Sequence, residues 1–448
     1  MYKRMSYLWA GLAVLAALSG CRSAGPAALP PPQVFTAPAA ELSAGLRLTR
    51  PVQAGDPWDH FGGAVDLAGD VLVAGATMFN RGTGEQPGAA FVFRQSAGGE
   101  WHAEAALSAS DRADGFQYDQ HFGAAVGVHG SLIAVGAPGA DDPHAGDNTG
   151  AVYIFQHTAQ GWVETHKLAV SQPLPGARLG NSLAFSGDLL AVGGAPEAGS
   201  VAIFQRQAAG WRQHAQIPVP ASPDGQPYSL LLDLLGDTLA ISAFSMQPPD
   251  LQAQAMQGLQ RTGIVLIFER SGDTWQETYR SPPHTAFVPH IDQRAPLGIP
   301  VALGGRTGQA TLLAVGKSGF TGSGREYGSV AVYTRTGRGW APHAELMLAP
   351  GPLAPGALPF VDPQPAAVFF GAAVAMHGER LAVLSTFANS IYVFERQAGG
   401  WQYRFRLSPG PGITDDFQRR VVALDGPRLL LGSPGELGDG DLFLFDLD

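Results

Sequence analysis

Apolar residues fall along this chain in short runs separated by Gly, Asp and Pro, and nowhere keep the 3.6-residue period of an amphipathic helix. One unit shows the pattern in full. Phe122-Gly123-Ala124-Ala125-Val126 opens it, Leu132-Ile133-Ala134-Val135-Gly136-Ala137-Pro138 follows, Val152-Tyr153-Ile154-Phe155 comes third, and Gly161-Trp162 starts a more polar stretch. Runs such as Val71–Ala74, Leu189–Val192, Leu312–Val315 and Leu429–Leu431 predict a second strand that exits through Gly, often as Gly-Ala-Pro, where proline ends the ladder. Runs such as Phe91–Phe93, Val201–Phe204, Val265–Phe268, Val330–Tyr333, Ile391–Phe394 and Leu442–Phe445 are apolar on both sides, which predicts interior strands. Trp101, Trp162, Trp211, Trp275, Trp340 and Trp401 each open a fourth segment of alternating polarity, suited to an outer, half-exposed strand. Gly69-Asp70, Gly187-Asp188, Gly236-Asp237 and Gly378-Glu379 supply tight hairpins between first and second strands.

The start of the unit is clean at Phe61-Gly62, Phe122-Gly123 and Phe370-Gly371, softened at Leu179-Gly180 and Leu297-Gly298, and degraded at Tyr228-Ser229 and Phe417-Gln418. Seven copies of a four-stranded antiparallel unit without helices predict an all-β fold, a seven-bladed β-propeller, over residues 45–448. The seventh copy reaches Asp448 just after its third strand. Gly45-Leu46-Arg47-Leu48-Thr49-Arg50-Pro51 resembles the fourth-strand tails and is expected to complete that last blade and close the ring.

Phe-Gly followed by Gly-Ala-Pro resembles the FG-GAP repeat family, known from the integrin α-subunit propeller; residues 122–162 carry the fullest copy. The resemblance implies a seven-bladed ring with ligand binding on a loop face. It also implies calcium in the loop between second and third strands, held by an Asp-x-Asp-x-Asp-Gly spacing from which this chain departs. The nearest candidates are Asp141, Asp142, Asp147 and Asn148, whose oxygens lack the alternation a hard cation needs; a solvated turn is the other reading. Asp439-Gly440-Asp441 is a shorter candidate, and no cofactor is otherwise expected.

The first twenty residues read as an export signal: Lys3 and Arg4, an apolar Leu8–Leu18, then Leu18-Ser19-Gly20-Cys21. That tetrapeptide resembles the lipobox of bacterial lipoproteins, which implies lipid attachment at Cys21, the single cysteine of the chain, and a membrane-anchored protein of the cell envelope. Arg22 in place of Asp points to the outer rather than the inner membrane. Residues 21–44, with Pro26, Pro30-Pro31-Pro32 and Pro38 among Ala and Ser, read as a semi-stiff tether. The net charge of −10 grows two units more negative once Lys3 and Arg4 are removed, and no basic cluster is present; nucleic acid is therefore not an expected partner.

Catalytic patterns are missing from the sequence. The twelve histidines show no metal-ligand pairing, and Gly316-Lys317-Ser318 has Thr311 where a phosphate loop needs its leading glycine. Asp111, Asp114 and Asp119 crowd one inter-blade link, where short carboxylates ordinarily fold the loop. Insertions over 245–263, 317–328 and 349–368 direct attention to units four to six as the ligand-bearing side. These features together predict a monomeric, non-catalytic ring that binds an envelope protein or a glycan. The alternative is a hydrolase or lyase acting on a glycan at the central channel, where the first strands offer Asp66 and Asp233.

Overall fold

The computed structural model describes residues 30–35, 41–42, 45–50, 59–79, 87–111, 120–194, 199–220, 229–246, 259–288, 299–305, 308–318, 328–348, 370–385, 389–409, 420–434 and 440–448. Every regular element among them is a β-strand, and the strands form seven sheets, each built on four antiparallel strands. Blade one is typical: Ala64–Ala68, Val71–Ala76, Ala89–Gln95 and Trp101–Leu107 pair in sequence order. The seven first strands touch one another in cyclic order, the last against the first, so the sheets close into a ring around an axial channel. Third strands are buried on both faces, as at Ala151–Thr158 and Ser329–Thr336, because each sheet is sandwiched between two others. In the first six blades the pairing of third and fourth strands slips at the same place, just before Phe93, Phe155, Phe204, Phe268, Tyr333 or Phe394. A bulge at a fixed position bends each sheet alike, as radial repetition requires.

The Phe-Gly and Gly-Ala-Pro signatures prove to be two sides of one joint. Phe122 is buried against Tyr153 and Phe155 of its own blade, with ring centroids 5.6 and 6.1 Å away. Gly123 donates its N–H to the Gly136 carbonyl of the same blade at 2.9 Å. Its own carbonyl presses on the preceding blade, where a Cβ built at Gly75 would lie 1.9 Å from it. The step repeats: Gly180 donates to Gly193 at 3.0 Å, and a Cβ on Gly136 would meet the Gly180 carbonyl at 2.0 Å. Gly432 against Gly62 and Gly316 against Gly371 make the same contact at 2.2 Å. The aromatic anchors the turn to its own sheet, and the two glycines allow neighbouring backbones to touch. Where blade four begins with Ser229 instead, a Cβ on Gly193 would meet the side chains of Leu230 at 3.4 Å and Leu232 at 3.5 Å, and the joint is made by side chains.

The N-terminal region departs from the expected tether. Leu46–Thr49 is the fourth strand of blade seven, antiparallel to Asp441–Asp446, as the sequence predicts. Two further strands precede it. Gln33–Phe35 pairs in parallel with Gly339–Leu348 as a fifth strand of blade five, and Glu41–Leu42 pairs in parallel with Gly400–Leu407 as a fifth strand of blade six. Phe35 supplies a reason: beside blade five it reaches the neighbouring blade six, where its ring packs edge-on against Phe394 at 5.1 Å. The outer strand of blade six carries Tyr403 and Phe405 where blade one has Ala103 and Ala105 and blade two has Glu164 and His166, while Leu346 of blade five has counterparts in Leu107 and Leu168. The insertion expected over 245–263 is also partly regular. Thr238–Met246 and Leu259–Ser271 extend the blade-four hairpin, and His284–Val288 adds to it, leaving 247–258 outside the described residues.

Candidate functional site: the loop face and axial channel

Strand order gives the ring two unlike faces. First-to-second and third-to-fourth connections lie on one face and are mostly tight turns, such as Gly130-Ser131 and Thr158–Gly161. The described second-to-third loops and inter-blade links emerge on the other, among them 138–150, 169–181 and the extended blade-four hairpin. Of the insertions singled out in the sequence, the described strands flanking 247–258 end on this face, and 247–258, 319–327 and 349–369 themselves lie outside the described residues.

The channel is two joined cavities. Val65, Val126, Leu183, Leu232, Val301, Val374 and Val422, one aliphatic residue from each blade, line both and form a girdle between them. Above the girdle, at the loop face, a cavity of about 290 Å³ is lined by Gly and Ala together with Asn181 and Arg420. Arg420 is buried and donates to Ser433 Oγ at 3.1 Å and to Asn389 Oδ1. It stands where other blades place Gly63, Ala124 or Ala372, a departure from the repeat that sequence reading passed over. Below the girdle a cavity of about 320 Å³ holds Asp66 and Asp233 among small and apolar residues.

These two carboxylates do the same structural task. Asp66 accepts the N–H of Leu67 at 2.9 Å and of Val128 in the next blade at 2.7 Å. Asp233 accepts Leu234 at 2.8 Å and Leu303 in the next blade at 2.6 Å. Each thereby binds the channel-facing N–H groups of two adjacent innermost strands, groups that have no further strand to pair with. Burial pushes Asp66 up to about 7 against the pull of those amides, with Asp233 and Asp425 adding repulsion, and pushes Asp233 up to about 6. Asp425 is instead held low by its hydrogen bond with His377, and it accepts the Gly69 N–H at 2.7 Å.

A pH dependence follows. The folded ring keeps the Asp66 proton after the unfolded chain, with its ordinary value of 3.8, has lost it. The associated stability is complete below 3.8 and disappears as pH rises to about 7. Asp66→Asn is expected to gain stability relative to wild type between pH 4 and 8, whatever its constant offset. Denaturant titration across that range reads the difference; an offset independent of pH would refute it.

The calcium candidates come together in one loop but turn inward. Asp142 Oδ1 accepts the N–H groups of His144 and Ala145 at 2.8 and 2.9 Å, and Asp141 Oδ1 accepts that of Asn148 at 2.7 Å. Those amides hold the Asp142 carboxyl below its ordinary range. Asn148 takes a left-handed φ of 53° and, with Asp147, accepts backbone N–H groups of Arg178 and Gly176. Among the described residues no group of three or more His, Cys, Asp or Glu is placed to hold a metal ion. Asp142→Ala is expected to lower the melting temperature slightly and equally in calcium and in chelator; a calcium-dependent shift would contradict the self-capped loop.

The remaining sequence candidates divide. Asp111 accepts Tyr153 Oη at 2.7 Å and Lys167 Nζ at 2.5 Å, a loop-folding role, while Asp114 and Asp119 lie outside the described residues. Asp441 forms a two-pronged pair with Arg47, and Asp439 is outside. Gly316 belongs to the glycine joints, and Lys317 pairs with Glu345 at 3.1 Å. Cys21 is outside the described residues.

Comparison with known proteins agrees with this geometry. The family model described as FG-GAP repeat matches residues 101–155, the fourth strand of blade one through the third of blade two. No curated protein sequence matches the chain. Among solved structures, the RRP9 WD40 repeats superpose with a TM-score of 0.51 at 11% identity, covering 91% of this chain and 99% of that one. A chain of the mitotic checkpoint complex gives 0.50 at 14% identity, covering 97% and 99%. A periplasmic gluconolactonase of Pseudomonas aeruginosa gives 0.43 at 13%, covering 86% and 88%. At these identities the likeness extends to the fold alone.

Proposed function

We propose that this chain, a seven-bladed propeller carrying an FG-GAP repeat, is a lipid-anchored module of the cell envelope that binds a protein or glycan partner on its loop face without catalysis. One observation carries the reading: among the described residues the longer second-to-third loops and inter-blade links, such as 138–150 and 169–181, lie on one face around a channel mouth, while the connections of the opposite face are mostly tight turns. Proteins use loops on a rigid scaffold for recognition. The channel acids are occupied in pairing backbone amides of adjacent blades, a structural duty that removes the need for a catalytic one. The lipobox-like Leu18-Ser19-Gly20-Cys21 supplies the anchor.

Chemical cross-linking in living cells, with Cys21→Ala as the untethered control, tests the reading. One dominant envelope partner that disappears in the control is the expected result. Good recovery without any enriched partner would count against it. Channel hydrolysis of a glycan is the second reading, favoured by two acids raised toward neutrality in one cavity. It predicts activity abolished by both Asp66→Asn and Asp233→Asn in folded protein.

A further inference from the structure

The chain's first three described strands form a belt. Gln33–Phe35, Glu41–Leu42 and Leu46–Thr49 lie on the outer edges of blades five, six and seven in succession. All three run in the same direction. Fourth strands lead from the tight turns to the inter-blade links, so the two parallel pairings point Gln33–Phe35 and Glu41–Leu42 toward the loop face. Chain entering Gln33 therefore comes from the tight-turn side of blade five. Pro30, Pro31 and Pro32 stand immediately before it, and consecutive prolines hold an extended course.

From this we infer that the belt orients the ring on its anchor, with the blade-five rim and tight-turn face toward the lipid surface and the loop face away from it. The inference rests on the lipid-anchored reading of Cys21. Its physical content is the length of the leash. Gln33 lies twelve positions after Cys21, a reach of at most roughly 40 Å, whereas a chain first held at Leu46 would have twenty-five positions and roughly 85 Å. The belt thus halves the leash and moves its attachment from blade seven to blade five. A loop face turned outward is free to meet a partner in the surrounding compartment.

The test uses the full-length protein, lipidated in cells and reconstituted into phosphatidylethanolamine–phosphatidylglycerol vesicles bearing an acceptor dye on a headgroup. A Cys21 thioether leaves any introduced cysteine as the sole thiol, so single donors can be placed by Arg338→Cys, Gln160→Cys and His144→Cys. Arg338 lies exposed on the blade-five tight turn, Gln160 on the blade-two tight turn and His144 on the blade-two loop face. Energy transfer is expected to be greatest at 338 and least at 144, by about twofold given a 40 Å leash. Val34→Pro with Phe35→Ser alters one exposed residue and the ring contact to Phe394, releasing the belt at the rim. That variant should stay on the vesicles but lose the contrast between sites. Vesicle-bound protein with equal transfer at all three sites, or most at 144, overturns the orientation and leaves the anchor standing. Protein that does not associate with vesicles overturns both.

Discussion

Gly136→Ala is expected to destabilise the ring by at least about 3 kcal/mol, well above the usual cost of a single core substitution. The added Cβ would sit 2.0 Å from the Gly180 carbonyl oxygen and 2.9 Å from its carbon, both backbone atoms of the next blade. No rotamer relieves such a contact. Blades two and three would have to separate, and a closed ring transmits that displacement to every other joint. Gly136 lies within the second strand Leu132–Ala137, so the effect is one of contact and not of backbone conformation. Gly75→Ala should behave alike. Gly337→Ala, on an exposed tight turn with nothing within 4 Å, should be close to neutral. Equilibrium unfolding of the three variants provides the comparison, and a benign Gly136→Ala would remove the physical meaning given to the repeat.

Deletion of residues 45–50 should have a comparable or larger effect, because it opens the ring. It takes the fourth strand from blade seven and leaves the edge of Asp441–Asp446 without its partner. Leu48, buried beside Phe61 and Leu442, goes with it, as does the Arg47–Asp441 pair. The pair itself counts for little: the Arg47 side chain is 60% exposed, and Arg47→Gln alone should cost no more than about 1 kcal/mol. Loss of the strand should lower the melting temperature of the whole ring in a single transition. Separate melting of blade seven, with the other six unaffected, would show that the strand does not close the structure.

How much of this was legible in the sequence follows from which physical constraint each residue answers to. Third strands such as Val330–Tyr333 were readable because burial on both faces leaves no polar position to confuse the pattern. The closing strand was readable because Leu46-Arg47-Leu48-Thr49 has to resemble the strands it replaces. The two short strands before it were not. Gln33–Phe35 sits in a proline-rich stretch, and its partners, the outer strand of blade five and Phe394 of blade six, are three hundred residues away or more. Asp66 and Asp233 stood out as channel acids, yet their partners are backbone amides of a neighbouring blade, and the composition of that blade carries no sign of the bond. Arg420 was hidden for a different reason. The Phe417-Gln418 opening of its repeat is too worn to set the register that would have shown a cation in a small-residue position.

The claim that recognition belongs to the loop face is tested most directly by side-resolved photo-cross-linking in living cells. A photoreactive phenylalanine would replace His144 or Pro283 on the loop face, and Gln160 or Arg338 on the tight-turn face, all four exposed. The account predicts adducts with one envelope partner from the loop-face positions and none from the tight turns. Adducts from the tight turns alone, or equally from both faces, would contradict it.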